Sequence, residues 1–262
     1  MSDTTSNPTV GVQTQDAVTI LTLSYPEKRN ALAIPLRDKL TQALRQALQD
    51  DHCRVIILTG EGEHFCSGGD ISGFDGADAI GGRQRMEKFH EMVRLILKSE
   101  KPIIAAVEGH AAGAGMCVAA DCDLVVASTD AKFTCSFNKI GLLPDLGGLW
   151  SIPARMGLGR AKLMMLTGRT LDATSAHAQG LVETLCAPGQ ALKTAIELAQ
   201  EIAQCAPLTH GLIKSALARG AMSVDTLLSL EADLQGLLFS SEDFQEGRTA
   251  FMEKRKPTFR GK

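Results

Sequence analysis

The segment FCSGGDISGF, Phe65–Phe74, carries three glycines in ten residues and directly follows a polar turn and the apolar run VIILT at 55–59. A second glycine-rich segment, GHAAGAG at 109–115, follows the apolar run IIAAV at 103–107. Each apolar run is typical of a buried strand, and open α/β sheets bind ligands just past the carboxyl ends of their strands. Because glycine lets an acceptor approach the backbone closely, two N–H groups from these segments could form an oxyanion hole. The alternative is that the glycines only permit tight turns and close packing.

The surrounding sequence alternates between strand and helix patterns. VTILTLS at 18–24 predicts a strand, and leucines at 36, 40, 44 and 48 predict a helix after Pro35. Another helix is predicted before Pro102, then a short helix GMCVAA and a strand LVVAS at 124–128. From Ala191 onward the pattern is helical only. We therefore predict an α/β core over residues 1–190 and a helical region over 191–262.

Composition excludes several classes of function. The chain has 262 residues, with 27 Lys plus Arg against 30 Asp plus Glu, so it offers no basic field for nucleic acid. No apolar stretch reaches the ~20 residues of a membrane span. Seven cysteines, an odd number with no CxxC pair, favour buried thiols in a reducing compartment, and we predict a cytoplasmic protein. The histidines have no metal-binding spacing, so no metal is expected.

Five segments in order resemble the crotonase, or enoyl-CoA hydratase/isomerase, superfamily. They are PEKRNAL (26–32), FCSGGDI (65–71), AAVEGHAAGAG (105–115), AKFTCSFNKIGLLPDLGG (131–148) and EGRTAFMEKR (246–255). The resemblance implies a crotonase-like ββα spiral core with a helical C-terminal trimerisation region, in a homotrimer or dimer of trimers. It also implies an acyl-CoA thioester substrate with no separate cofactor, and an enolate held by the N–H groups of Gly69 and Ala114.

The same resemblance implies a set of residues that contact coenzyme A. They are Lys28, Arg29, Ala31, Ser67, Gly68, Asp70 and Ile71, with Phe251 and Lys254 covering the nucleotide end, on the same or a neighbouring subunit. Two alternatives stay open from the residues alone. Asp70 is equally typical of a turn or helix cap, and an exposed charge pair is the commoner role for residues such as Lys28 and Arg29.

Three further positions separate the reactions of the superfamily. Hydratases resembling this chain carry glutamates where it has Cys117 and Phe137, so ordinary hydration is not expected. Isomerases carry a single carboxylate at the position of Asp145, and apolar neighbours such as Phe137, Leu142 and Trp150 would raise its pKa. From the sequence alone, Asp145 is also a good N-cap for a helix beginning at Gly147.

His90 leaves a second chemistry open. Its distance from Pro102 resembles that of a histidine base in aryl-CoA dehalogenases, although a structural histidine is the simpler interpretation. Three functions follow: a 3-enoyl-CoA or ring-epoxide CoA isomerase, a hydrolase or dehalogenase with Asp145 as nucleophile, or an acyl-CoA-binding protein without activity. We expect residues around 72–90 to line the acyl pocket.

Overall fold

The computed structural model of the chain describes residues 7–71 and 78–262. Within these ranges the chain forms nine strands and ten α-helices. The strands are β1 Thr9–Gln15, β2 Val18–Ser24, β3 Val55–Gly60, β4 Ile103–Val107, β5 His110–Ala112, β6 Leu124–Ser128, β7 Lys132–Thr134, β8 Thr170–Asp172 and β9 Thr184–Cys186. The helices are α1 Ile34–Gln49, α2 Ala79–Lys98, α3 Ala114–Asp121, α4 Gly148–Met156, α5 Leu158–Thr167, α6 Ala173–Ala178, α7 Ala191–Ala203, α8 Pro207–Leu217, α9 Val224–Phe239 and α10 Glu242–Glu253.

The strands form two sheets. The larger has the order β1-β2-β3-β4-β6-β9, and the smaller has the order β5-β7-β8. In the larger sheet β1 and β2 are antiparallel, whereas every later pair is parallel and follows chain order. A helix connects each parallel pair, as such crossovers require. Because β3 and β4 are parallel neighbours, the two glycine-rich segments leave the sheet at the same edge.

The elements predicted from apolar periodicity are confirmed, whereas β1 and the three-residue strands β5, β7, β8 and β9 were not predicted. The strand at 18–24 matches β2, the leucine helix matches α1, and the runs at 55–59, 103–107 and 124–128 match β3, β4 and β6. Of the strands that were not predicted, β1 is mostly exposed and pairs only with β2 along one edge. Its side chains therefore lack the alternation of apolar and polar residues that marks a half-buried strand.

Two apolar clusters cover the faces of the larger sheet. One contains the buried side chains of α1, α2 and α3. The other is built where Ala191, Ala195 and Ala199 of α7 pack on the strands, for example on Val55 and Ile104. Helix α7 thus packs on the sheet although it lies beyond residue 190, and the division of the chain at that residue stays a prediction.

The C-terminal helices are much less buried. Helix α9 has no buried residue, and its leucines at 227, 228, 230, 234 and 237 are exposed or half-buried in the single chain. Five of the seven cysteines are buried, and all seven are free thiols. Among the described helices, none is long and apolar enough to cross a bilayer.

Candidate active site

The two glycine-rich segments lie against each other. The Cys66 N–H donates to the His110 carbonyl at 2.9 Å, and the Ala112 N–H donates to the Cys66 carbonyl at 2.9 Å. Gly68 adopts a φ of 113°, and a Cβ atom there would lie 3.0 Å from the Ala112 carbonyl oxygen. Glycine at this position therefore permits both the backbone conformation and the close approach of the two chains.

Gly69 and Ala114 present the two N–H groups that the sequence singled out. A Cβ atom on the adjacent Gly68 would lie 3.7 Å from the Ala114 nitrogen, so the two donors belong to one small region. In the described part of the chain, neither N–H donates a backbone hydrogen bond. Ala114 is also the first residue of α3, where the helix dipole adds partial positive charge. The arrangement is able to bind a carbonyl oxygen and to stabilise an oxyanion.

Hydrogen bonds connect the PEKRNAL segment, residues 26–32, to the glycine-rich segment that begins at Phe65. The Leu32 N–H donates to the Gly68 carbonyl at 2.7 Å, the Ser67 N–H donates to the Arg29 carbonyl at 2.9 Å, and the Ser67 hydroxyl donates to the Lys28 carbonyl at 2.8 Å. Ala31 is buried beside them. The structure therefore brings Lys28, Arg29, Ala31, Ser67 and Gly68 together at one edge of the sheet.

Asn30 organises this edge, and the sequence analysis missed it. Its side chain is fully buried, accepts from the Tyr25 N–H at 2.9 Å, and donates to the Glu61 and His64 carbonyls at 2.9 and 2.7 Å. Its φ of 57° lies in the left-handed region, which asparagine tolerates better than most residues. An asparagine beside Arg29 in a turn was the available signal.

Lys28 and Asp70 form an ion pair, with 2.9 Å between the Lys28 Nζ and the Asp70 Oδ2. The Asp70 hydrogen bond raises the pKa of Lys28 above its usual value. The structure thus shows Asp70 in contact with Lys28, and it shows Lys28 as part of an ion pair rather than as an isolated surface cation. Arg29 and Ile71 are exposed nearby.

Asp145 lies between a 3-10 turn, Phe137–Ile140, and helix α4. The N-cap of α4 is Gly147, and no side chain caps the helix. The link from Asp145 to the helix is instead its backbone carbonyl, which accepts from the Gly148 N–H at 2.9 Å. The capping interpretation of this side chain is therefore not supported. Its Oδ1 atom is buried and has no hydrogen-bond partner.

Burial raises the pKa of Asp145, while Arg37, the backbone and Arg85 lower it. The net shift is upward, as desolvation disfavours the charged carboxylate. A carboxyl with a raised pKa and an unused oxygen is suited to accept and return a proton.

The two hydratase positions, Cys117 and Phe137, carry no carboxylate. Cys117 is fully buried on α3, where burial, followed by the charge of Asp145, raises its pKa well above the usual value. Phe137 is 8% exposed in the 3-10 turn. A neutral thiol and an aromatic ring occupy these two positions, and neither can activate water as a glutamate would.

A cavity of about 730 Å³ opens beside Asp145. Its wall includes Arg85, Met86 and His90 of α2, Leu142, Asp145 and Trp150. The structure thus places His90 on the same cavity as Asp145, which the sequence left undecided. Of the segment expected to line the acyl pocket, residues 78–90 include the start of α2, and residues 72–77 lie outside the described residues.

Phe251 and Lys254 lie apart from this cavity wall, at the end of α10. Phe251 is 83% exposed, and Lys254 is the helix C-cap with a φ of 56°. Their predicted contact with coenzyme A stays a prediction.

Two more charged residues near Asp145 were missed from the sequence. Arg37 is 2% exposed on α1, and Asp121 is 3% exposed at the end of α3. Arg37 stands between Leu36 and Leu40 on the apolar face of its helix, and this spacing was the signal for its burial. No group of three His, Cys, Asp or Glu in the described residues could hold a metal ion.

Comparison with known proteins identifies the family of the chain. Residues 13–262 match the family model described as enoyl-CoA hydratase/isomerase. The chain is 38% identical over 254 residues to 1,2-epoxyphenylacetyl-CoA isomerase of Escherichia coli (strain K12), covering 95% of this chain and 97% of the relative. It is 34% identical over 247 residues to a short-chain-enoyl-CoA hydratase of Clostridium acetobutylicum, covering 94% and 95%. A crystal structure of enoyl-CoA hydratase from Bacillus anthracis has a TM-score of 0.91 at 30% identity, covering 97% of this chain and 99% of that one. The chain therefore belongs to the enoyl-CoA hydratase/isomerase family, within the crotonase superfamily.

Proposed function

We propose that this protein is an isomerase of acyl-CoA thioesters with Asp145 as its single base. The substrate is a 3-enoyl-CoA, whose double bond moves to the 2-position, or a ring-epoxide CoA thioester. The observation that carries the proposal is the partly buried Asp145 carboxyl on a cavity wall, with its Oδ1 atom buried without a hydrogen-bond partner and no carboxylate at Cys117 or Phe137. The similarity to an epoxyphenylacetyl-CoA isomerase supports it, whereas several relatives are named hydratases.

For the double-bond shift, the Asp145 carboxylate removes a proton from C2 of the thioester. The electron pair of that C–H bond moves into the C2–carbonyl bond, and the resulting dienolate oxygen is stabilised by the Gly69 and Ala114 N–H groups. The same carboxyl then returns its proton to C4, which restores the thioester carbonyl and leaves the double bond between C2 and C3. Proton number is unchanged, so one base is sufficient.

The loop residues would bind coenzyme A. In this proposal Ala31, Ser67, Gly68, Asp70 and Ile71 line its path. Lys28 and Arg29 face its phosphates, and Phe251 with Lys254 covers the nucleotide end. A homotrimer or dimer of trimers would complete that cover.

Asp145→Asn tests the role of the carboxyl. An amide keeps the size of the side chain but is no base, so we expect 3-enoyl-CoA isomerisation to fall by about 10²–10⁴-fold with normal thioester affinity. Asp172→Asn is the matched control, because Asp172 does cap a helix by accepting from the Ser175 N–H at 2.7 Å. It should leave turnover unchanged. Wild-type protein should also hydrate crotonyl-CoA far more slowly than it shifts the double bond.

Two results would contradict the proposal. One is turnover of Asp145→Asn within a fewfold of wild type, and the other is fast hydration that does not depend on Asp145. Melting temperature and binding of a saturated acyl-CoA, measured on the same preparations, separate loss of the base from loss of the fold.

The position of His90 favours one second candidate. A histidine on the cavity that holds Asp145 suits a hydrolytic reaction, in which Asp145 displaces a leaving group from the substrate and His90 activates the water that cleaves the resulting ester. Mass spectrometry of the peptide containing Asp145 distinguishes the two reactions. A trapped aspartyl ester supports hydrolysis, and deuterium exchange at C2 or C4 without an ester supports isomerisation.

A further inference from the structure

Arg37 is a buried cation next to the candidate site. It lies on α1 among Leu36 and Leu40, whose side chains are fully buried, and only 2% of its own surface is exposed. Transferring a guanidinium from water to the protein interior is unfavourable unless hydrogen bonds or opposite charges compensate for the lost hydration. The contacts of the Arg37 side chain therefore indicate which groups its buried charge stabilises.

One contact connects Arg37 to the oxyanion loop. Its Nε donates to the Leu32 carbonyl at 2.7 Å. The Leu32 N–H in turn donates to the Gly68 carbonyl at 2.7 Å, and Leu32 pairs with Gly69 in an isolated parallel bridge. Arg37 thus holds the residue that fixes the backbone immediately before the Gly69 N–H.

The rest of the guanidinium lies over the Phe89 ring of α2. Its Cζ lies 4.0 Å from the centre of the Phe89 ring, and its Nη1 atom is buried without a hydrogen-bond partner. Burial lowers the pKa of Arg37, and Asp145 opposes that shift more than any other charge. The influence is mutual, since Arg37 is the charge that most lowers the pKa of Asp145.

We propose that Arg37 is a positioning residue of this active site. Its Nε fixes the loop that aims the Gly69 N–H, and its buried positive charge keeps Asp145 available as a carboxylate. This inference rests on the proposed role of Asp145 as a base, and it adds a residue that favours the carboxylate form of that base.

Several ionisable groups lie around Asp145. They are Arg37 from α1, Arg85 and His90 from α2, Cys117 and Asp121 from α3, and Cys135 after β7. Of these, Arg37 and Arg85 favour the carboxylate form of Asp145, and the charge of Asp145 in turn raises the pKa values of Cys117, Asp121 and Cys135. When Arg37 loses its charge, the pKa of Asp145 therefore rises, and the base form is reached only at higher pH.

The test compares three variants of α1. Arg37→Met removes the charge but keeps a long side chain, Arg37→Lys keeps the charge, and Arg45→Met is the matched control. Arg45 lies on the same helix and is half exposed in an ion pair with Glu91. Carbon-13 NMR of protein labelled at the aspartate carboxyl gives the pKa of Asp145 directly, with the signal assigned by its absence in Asp145→Asn. The pH profile of kcat/KM for 3-enoyl-CoA is the second readout.

We expect Arg37→Met to raise the pKa of Asp145 by about 1 unit or more, and to move the acidic limb of the profile to higher pH by the same amount. Arg37→Lys keeps the positive charge and should therefore leave the pKa of Asp145 close to its wild-type value. Arg45→Met should not change that pKa. An unchanged Asp145 titration in folded Arg37→Met would overturn the proposal. If that variant does not fold, Arg37→Gln gives the same comparison.

The NMR readout needs no turnover. A wild-type protein that lacked isomerase activity would contradict the proposed function, while the Asp145 titration would still decide the inference about Arg37.

Discussion

Asp121 is a buried carboxyl next to the PDLGG turn, and its surroundings compensate for its burial only in part. Neither of its oxygens has a hydrogen-bond partner. A Cβ atom on Gly147 would lie 2.6 and 2.7 Å from these two oxygens. The Asp121 carboxyl is therefore packed directly against the turn that contains Asp145. Burial raises the pKa of Asp121 well above its usual value, although Ser151 and Arg155 oppose the shift. Two carboxyl groups with raised pKa values therefore lie close to the same turn: Asp145 within it and Asp121 packed against it.

This burial makes stability depend on pH. As pH rises above the usual aspartate value, the unfolded chain loses its Asp121 proton while the folded chain keeps it, so unfolding becomes more favourable. Each pH unit in that window costs about 1.4 kcal/mol. Asp121→Asn removes the effect, and we expect its melting temperature to exceed that of wild type by a margin that grows from pH 5 to pH 8.

Thermal denaturation across this pH range measures the margin. The exposed Asp51, changed to Asn, is the control and should follow wild type at every pH. A margin for Asp121→Asn that stays constant or shrinks with pH would show that Asp121 is ionised in the folded protein.

At the scale of elements, the site depends on how closely α3 approaches the segment after β3. Gly115, the second residue of α3, would place a Cβ atom 2.6 Å from the Cys66 Cβ and 2.7 Å from the Cys66 carbonyl oxygen. No side chain fits between these elements. The spacing of the Gly69 and Ala114 donors therefore relies on bare backbone at Gly115 as well as at Gly68.

Gly115→Ala should separate the two donors. Alanine favours helix, but its methyl group must push α3 away from Cys66, so we expect kcat to fall at least about tenfold, because oxyanion stabilisation is sensitive to donor geometry. Gly159→Ala is the control: it lies in α5 with nothing near its Cβ position, and it should stabilise the protein by up to about 1 kcal/mol without changing kcat. Equal kinetics for both variants would show that α3 tolerates displacement.

The sequence predicted these elements because their signals are local. Apolar runs followed by glycines define β3, β4 and their loops, and parallel strands bring such loops to one edge. Burial of a charge is only partly a local signal. The spacing between Leu36 and Leu40 places Arg37 on the apolar face of α1, but the packing of Phe89 from α2 and the hydrogen bond to Leu32 are needed to show that it is enclosed. Strand β1 was missed for a related reason, since pairing with β2 rather than apolar content defines it.

At the scale of the whole molecule, α9 indicates assembly. It exposes Leu227, Leu228, Leu237 and Phe239, each at least 44% exposed, along a helix without a buried residue. An isolated soluble chain rarely leaves so continuous an apolar face in water.

We expect a trimer or a dimer of trimers by light scattering at micromolar concentration, with a melting temperature that falls on dilution. Leu228→Glu should weaken the assembly, because a charge in a buried apolar contact is unfavourable. Ser229→Glu, which adds the same charge at the next residue, indicates how much of the effect is specific to the leucine. A monomeric mass for wild type would refute the assembly and would also remove the basis for Phe251 and Lys254 as contacts between subunits.

The order of the strands has a consequence for synthesis. Strands β2, β3, β4, β6 and β9 join the larger sheet in the order in which the ribosome releases them, so each finds its parallel neighbour already present. One face of that sheet stays uncovered until α7 emerges, because Ala191, Ala195 and Ala199 are the side chains that close over Val55 and Ile104. A nascent chain that stops short of α7 exposes this face, and exposed apolar surface of this kind is what chaperones bind and what drives aggregation. Premature termination before residue 191 should therefore yield insoluble fragments rather than a smaller folded core.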